Sequence, residues 1–173
     1  MIGKIQGNIV DILYAPLTAG EVTTAIILAA CTRSIMIAII SIIVFSFVID
    51  LTIVSFIYII VFTFLSSFIL GSVGFIAGLW AEKFDHMASV TNFLIVPLSF
   101  LSGTFYTIDR LPYILQTISE LNPFFYMIDG FRYGFIGKSD GTIVYGIIYL
   151  TILSFITWFI SYLLYKRGYK IKF

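Results

Sequence analysis

The chain has 173 residues, of which 60% are hydrophobic and only 11% are charged. Soluble domains carry about 25% charged residues, so this composition excludes a soluble globular protein and indicates an integral membrane protein. The formal net charge of +1 gives no sign of a nucleic-acid partner. The only cysteine, Cys31, lies in an apolar run and is interpreted as a small buried hydrophobic side chain.

The first segment, residues 1–21, is too polar to cross a membrane. Its polar residues include Lys4, Gln6, Asn8 and Asp11. Its apolar residues recur at helical spacing, at Ile5, Ile9, Ile12 and Leu13. This pattern predicts a short amphipathic helix that lies at the membrane interface and ends at Pro16.

Four apolar runs predict four transmembrane helices, over residues 22–49, 51–81, 88–108 and 141–165. In the first run, the uncharged stretch after Arg33 measures about 24 Å as a helix, which is shorter than the hydrocarbon core of about 30 Å. We therefore expect the span to include Arg33 near its end, with the side chain reaching the headgroups. The alternative is that Arg33 faces a substrate path. The second run is longer than a helix perpendicular to the membrane needs, which predicts a helix that is tilted, extended beyond the bilayer or bent. In the third run, Pro97 predicts a kink.

Small residues share one face of the second span, at Ser67, Gly71, Gly74 and Gly78. Such faces let helices approach closely in lipid. We predict that this face packs against a neighbouring span of the same chain, with a seam between two copies as the alternative.

Residues 109–137 form neither a span nor an ordinary loop. Apolar residues from Leu111 to Leu121 follow one stripe of a helix, with Pro112 in its first turn. Asn122-Pro123 ends that helix, and a second apolar-aromatic helix follows, in which Asp129 and Arg132 are spaced to pair. Two short helices between two spans predict a segment that dips back into the bilayer.

No catalytic motif is recognisable. The chain has no phosphate-binding loop, no nucleophile elbow and no metal-ligand set, and its single histidine, His86, falls in a polar connection. Two other classes remain open at this point. An ion-driven secondary transporter would place ionisable residues deep in its spans. A membrane-embedded transferase would need a carboxylate, histidine or metal set at the interface, and a structural membrane protein would leave the two short helices unexplained.

The motifs around these short helices resemble those of type-2 ATP-binding-cassette (ABC) exporter permeases. They are Leu101-Ser102-Gly103 with Phe105-Tyr106, then Arg110-Leu111-Pro112, then Leu121-Asn122-Pro123, and finally Ile128-Asp129-Gly130-Phe131-Arg132-Tyr133-Gly134. The resemblance covers essentially the whole chain. It implies an all-α membrane domain over residues 1–173 that exports an amphiphilic, lipid-linked, polysaccharide or drug-like substrate from a bacterial cytoplasm.

The resemblance also assigns roles. It makes residues 1–21 the coupling segment that docks on a separate ABC ATPase; the residues involved are Ile5, Gly7, Asn8, Ile9, Asp11, Leu13 and Pro16. It makes the re-entrant pair an outer gate, with Gly103, Phe105, Tyr106, Arg110, Pro112, Asn122, Pro123, Asp129 and Arg132. ATP and Mg²⁺ would bind the ATPase rather than this chain, a second permease copy and membrane lipids would be its partners, and two further spans would precede Met1, so that the chain is a fragment or its start lies late.

The distribution of basic residues predicts the orientation without the resemblance. With four spans, both termini lie on one side, together with Lys4, Arg33, Lys83, Lys166, Arg167, Lys170 and Lys172. Only Arg110, Arg132 and Lys138 lie on the other side. The positive-inside rule then predicts that both termini are cytoplasmic and that residues 109–137 are outside.

Overall fold

The protein is all-helical in the computed structural model, which describes residues 16–103 and 112–170 apart from the side chains of residues 113–115. No strand occurs in these ranges. The elements are α1 (Ala19–Ser46), α2 (Phe56–Trp80), α3 (Phe84–Val90), a π-helical turn (Thr91–Ile95), α4 (Val96–Phe100), α5 (Tyr113–Leu121), α6 (Pro123–Ile136) and α7 (Ile143–Lys166). The predicted all-α membrane fold is confirmed.

Three of the described helices, α1, α2 and α7, are long and apolar enough to cross a membrane, with mean hydropathies of 2.4, 2.3 and 2.1. α1 runs antiparallel to the other two. Its first turns lie beside the last turns of α7, because Trp158 Nε1 donates a hydrogen bond to Thr24 Oγ1 over 3.1 Å. We call the end of the bundle where α1 begins the Trp80 end, and the opposite end, where α2 begins, the Ser55 end.

The fourth predicted span, residues 88–108, corresponds to α3, the π-helical turn and α4. Together they run from residue 84 to residue 100, about 25 Å of helix. The turn at residues 101–103 follows, and residues 104–111 lie outside the described residues, so the number of spans stays a prediction. A π-helical turn comes just before Pro97, which has no N–H to donate. In this turn the Val96 N–H donates to the Thr91 carbonyl, which lies five residues earlier.

The long apolar run 51–81 is not one long helix. α2 begins at Phe56, because Ser55 before it has an extended backbone and its N–H donates a hydrogen bond outside the helix. The N–H groups of Val54 and Ser55 both donate to the Gly134 carbonyl, over 3.0 and 2.9 Å. The surplus length of the run is therefore used to hold α6.

The structure places Arg33 within its helix, whereas its depth in the membrane stays a prediction. α1 has 28 residues and begins at Ala19, so Arg33 lies at its midpoint, about 21 Å from the first residue, and not near its end. Its side chain is exposed in the described bundle.

The hydrophobic core lies where α6 inserts between α2 and α7. Its buried members are Phe62, Ile69, Phe125, Tyr126, Met127 and Leu150. α6 thus packs as an interior helix although it is only 14 residues long. The two short helices predicted between residues 109 and 137 are present as α5 and α6.

Candidate functional site

The most polar buried site of the described bundle lies at the Ser55 end, where α6 turns into α7. Asp129 is 3% exposed and accepts three hydrogen bonds. Arg132 Nη2 donates to Oδ1 over 2.6 Å, the Asp140 N–H donates to Oδ1 over 2.9 Å, and the Gly141 N–H donates to Oδ2 over 3.1 Å. Arg132 Nη2 also reaches Asp140 Oδ2 over 2.6 Å. The predicted pairing of Asp129 with Arg132 is confirmed, and Asp140 completes the cluster.

This cluster closes the connection between α6 and α7. Gly137, with φ of 72°, ends α6 in the left-handed conformation that glycine adopts without strain. The following backbone can then turn its N–H groups onto the Asp129 carboxylate. The buried charge has several donors, which is the condition under which a buried carboxylate is tolerated.

Two glycines bring α6 against α2. A Cβ on Gly130 would overlap the Phe62 ring, and a Cβ on Gly134 would overlap the Ile59 side chain. The Gly130-x₃-Gly134 spacing is the signal in the sequence that predicts such contact, although the sequence analysis did not single it out. Close backbone approach is what lets α6 lie between two spans.

The apex of the α5–α6 hairpin is tied to two other helices. Asn122 caps α6 by accepting a hydrogen bond from the Phe124 N–H, and its Nδ2 donates to the Leu98 carbonyl of α4 over 2.7 Å. Tyr149 of α7 donates its hydroxyl to the Leu121 carbonyl over 2.9 Å. Met127, in the next turn of α6, lines a cavity with Ser66, which is about 15 Å along α2 from its first residue. The hairpin therefore reaches well into the bundle.

Only part of the predicted gate lies within the described residues. Phe105, Tyr106 and Arg110 lie outside them. Gly103 is buried with φ of 74°, and Pro112 is exposed just before α5. Phe125 and Tyr126 of α6 belong to the buried core, so their rings serve packing.

The predicted coupling residues Ile5, Gly7, Asn8, Ile9, Asp11 and Leu13 also lie outside the described residues. Pro16 is exposed at the Trp80 end. Two residues later, Thr18 and Glu21 form a capping box that starts α1. On the same end, Lys170 Nζ pairs with Glu82 Oε1 over 2.8 Å, and this hydrogen bond raises the pKa of Lys170.

The small-residue face of α2 divides between two environments. At Gly71, an added Cβ would lie 3.2 Å from the Ala30 Cβ of α1, so this part of the face packs within the chain, as predicted. Ser67 is buried, Gly78 is half-buried and Gly74 faces open space. The alternative of a seam between two copies stays a prediction for Gly74.

No group of three or more metal-ligating side chains occurs among residues 16–103 and 112–170. Cys31 is buried, as the sequence suggests. His86 was expected in a polar connection but lies in the first turn of α3, where its Nδ1 accepts a hydrogen bond from the Glu82 N–H over 3.3 Å.

Comparison with known proteins shows what the chain resembles. A family model described as ABC-2 type transporter matches residues 2–136. The chain is 30% identical over 167 residues to the inner membrane transport permease YadH of Escherichia coli strain K12, and the alignment covers 95% of this chain and 64% of that protein. The same values hold for YadH of Escherichia coli O157:H7 and of Shigella flexneri. No solved structure matches the chain.

The chain thus spans about 64% of the length of the curated relatives it matches. The family model matches more than half of the chain. The all-helical bundle, with a short helix inserted between two long apolar ones, agrees with it. This chain belongs to the ABC-2 type transporter family.

Proposed function

We propose that the chain is the membrane-spanning permease subunit of an ATP-driven exporter in a bacterial inner membrane, with ATP and Mg²⁺ bound by a separate ABC ATPase. Family membership and the similarity to an inner membrane transport permease support this proposal. A second copy of the subunit completes the pathway.

The observation that carries the proposal is the hairpin of α5 and α6. At the Ser55 end of the bundle, the Asp129 carboxylate and the Gly134 carbonyl of α6 accept hydrogen bonds from the connections that precede α7 and α2. Its apex contacts α4 through Asn122 and α7 through Tyr149. Because the hairpin contacts α4 as well as α2 and α7, a shift of α4 relative to α2 and α7 would act on its apex, which suits an outer gate.

Residues 1–21 would dock on the ATPase and transmit its closure to the spans as a rigid-body shift. The distribution of basic residues supports a cytoplasmic location for this segment. Because Arg33 lies in the middle of α1, we leave it out of the count of basic residues on each side. Six basic residues on the side of the termini still outnumber three on the other side.

The surface between α2 and α7 supports an amphiphilic substrate. An apolar groove of about 420 Å³ runs there, between Phe64 and Phe68 on one side and Phe155 and Trp158 on the other. An apolar groove on the side of a membrane bundle suits a molecule that enters laterally from lipid.

Coupling is tested by substitution of the docking segment. We expect Gly7→Pro and Asp11→Lys to leave membrane insertion unchanged and to separate ATP hydrolysis by the copurified ATPase from export. Asp50→Lys, a reversal of charge at the opposite end of the bundle, is the matched control. Export at the unmodified level in both docking variants would remove the coupling role.

Orientation is tested by thiol labelling in a Cys31→Ala background. Ile118 is exposed on α5, so we expect Ile118→Cys to react with a membrane-impermeant maleimide in intact cells. Lys170→Cys should react only after permeabilisation. The reverse pattern would overturn the topology.

A further inference from the structure

An apolar groove of about 370 Å³ lies on an exposed face of α7. Five residues of this helix line it: Phe155, Ile156, Trp158, Phe159 and Ile160. Two of them, Phe155 and Phe159, are 70% and 52% exposed in the described bundle. The groove begins about 9 Å and ends about 17 Å along α7 from Lys166, the last residue of the helix. One leaflet contributes about 15 Å to the hydrocarbon core, so the groove lies at the depth of an acyl chain.

Two cationic side chains follow the groove at the Trp80 end of α7. Lys166 comes seven residues after Phe159, which places both residues on one face of the helix. Arg167 comes seven residues after Ile160 and lies over the adjacent column of the groove for the same reason. The apolar run of α7 ends just before Lys166, so both cations lie at the level of the lipid headgroups.

One tyrosine connects the groove to the cations. The Tyr162 ring is stacked on Trp158, with centroids 5.8 Å apart, and lies 6.4 Å from the Phe159 ring. Lys166 Nζ lies 5.6 Å from the centroid of the same Tyr162 ring. Tyrosine is enriched at the boundary between hydrocarbon and headgroups. The face therefore passes from apolar to amphipathic to cationic along the helix, which is the order of the parts of an anionic phospholipid.

Lys166 and Arg167 are available to an external anion. The chain turns back after α7 at Gly168, which has φ of 65°, and Lys170 then pairs with Glu82 over 2.8 Å. Lys166 and Arg167 are exposed, and no carboxylate among residues 16–103 and 112–170 lies at ion-pair distance from either of them.

We propose that this face of α7 binds an anionic phospholipid of the surrounding membrane, with its phosphate at Lys166 and Arg167 and one acyl chain in the groove. Arginine matches the geometry of phosphate oxygens with two parallel hydrogen bonds, and lysine adds a point charge. Basic residues at the end of a membrane helix attract anionic headgroups. The inference goes beyond the proposed function, since the ligand is a membrane lipid and not the cargo.

The chemistry of the face selects this ligand among other anions. A soluble phosphate ester would leave the apolar groove empty, and an acidic soluble protein would not reach it, because the groove lies at hydrocarbon depth. A zwitterionic lipid would fill the groove but carries no net charge for the two cations. Only an anionic lipid meets both parts of the face.

The site is tested by quenching of Trp158 fluorescence with brominated lipids, since Trp158 lines the groove. The chain has two tryptophans, so a Trp80→Phe background leaves Trp158 as the only one. The purified protein is reconstituted in vesicles of equal parts phosphatidylglycerol and phosphatidylcholine, and bromine is placed in the middle of the acyl chains of one lipid or of the other. Because the composition is the same in both vesicles, a difference in quenching measures the preference of the groove.

We expect brominated phosphatidylglycerol to quench Trp158 more strongly than brominated phosphatidylcholine does. Each cation near a headgroup contributes about fivefold in relative affinity, so the combined preference should be about twenty-five-fold. Lys166→Gln with Arg167→Gln should abolish this preference, whereas Lys166→Arg with Arg167→Lys should keep most of it because both charges remain. An ionic strength of about 1 M should weaken the preference.

Lys138→Gln is the matched control. Lys138 is an exposed cation at the opposite end of the bundle, so its loss should leave the preference at Trp158 unchanged. Protection of the buried Cys31 from maleimide shows that each variant is folded. If the double variant does not fold, Lys166→Gln and Arg167→Gln carry the test singly, each with a loss of about fivefold.

Four results would overturn the proposal. Equal quenching by the two lipids would show an unselective surface, and no quenching by either would show that protein covers the groove. A preference that survives Lys166→Gln with Arg167→Gln, or one that Lys138→Gln also removes, would show that these two cations do not form the headgroup site. Release of the brominated lipid by soluble glycerol phosphate would assign the cations to a free phosphate ester.

The measurement uses neither ATPase nor nucleotide, so its result is separate from the test of the proposed function. If ATP drives export and Trp158 shows no lipid preference, the exporter proposal stands and the lipid site fails. If the preference follows Lys166 and Arg167 but ATP drives no export in the complex with the ATPase, the lipid site stands and the exporter proposal fails.

Discussion

Replacement of Asp129 by alanine should destabilise the protein more than any other single change at the Ser55 end. The Asp129 side chain is 4% exposed and receives three donors, from Arg132, Asp140 and Gly141. Removal of one partner from a buried ion pair costs about 3–5 kcal/mol. Arg132 keeps its bond to Asp140, so we expect a loss near the lower limit, about 3 kcal/mol.

Cys31 supplies the assay, because it is the only cysteine and is 2% exposed in the folded bundle. A maleimide dye that fluoresces on reaction reports its exposure during heating in detergent. For a chain of this length, a loss of 3 kcal/mol corresponds to a fall in the midpoint of about 6–12 °C.

Asp140→Asn is the matched control for Asp129→Ala. The Asp140 side chain is 24% exposed and pairs with the same arginine, so its midpoint should fall much less. A fall below about 2 °C for Asp129→Ala, or equal falls for both variants, would contradict the structural role of Asp129.

Two other substitutions test the packing of the hairpin by the same assay. Gly130→Ala should lower the midpoint by several degrees because its Cβ would overlap the Phe62 ring, whereas Gly74→Ala, in open space on α2, should leave it unchanged or raise it. Asn122→Ala removes the cap of α6 and the bond to Leu98, so we expect a loss of about 1–2 kcal/mol. An unchanged midpoint in Asn122→Ala would show that the apex is held by packing alone.

The sequence predicts well the features that depend on short-range patterns. The break between α5 and α6 follows from Asn122-Pro123, because proline restricts the residue before it and starts a helix readily. The pairing of Asp129 with Arg132 follows from their spacing on one helix face. Long, mostly apolar runs locate α1, α2 and α7 because a span needs about 20 such residues.

Features that depend on partners distant in the chain could not be predicted. The Asp129 carboxylate also accepts hydrogen bonds from the backbone of residues 140 and 141. Almost every residue type has a backbone N–H, so the sequence does not indicate which one donates. α2 begins at Phe56 because Val54 and Ser55 donate to the Gly134 carbonyl, about 80 residues away, although the apolar run begins earlier.

The place of Arg33 within its helix was missed for a related reason. Hydropathy gives the number of apolar residues after Arg33 but not the residue at which the helix begins. Thr18 and Glu21 fix that start through their capping box, and the helix then extends through Arg33 without interruption. A charged residue in a span is therefore located better from the helix cap than from the length of the apolar run beside it.

The bonds around α6 also restrict which parts of the bundle can move. α6 is joined to α2 through the Gly134 carbonyl and to α7 through the Asp129 cluster and Tyr149, so relative motion of α2 and α7 would break several hydrogen bonds. In contrast, no residue of α3, the π-helical turn or α4 is buried, and the Asn122 side chain links this stretch to the hairpin by donating to the Leu98 carbonyl. Because a helix that buries little surface moves at low cost, we expect gating motion to occur between the α3–α4 stretch and a rigid body of α2, α6 and α7.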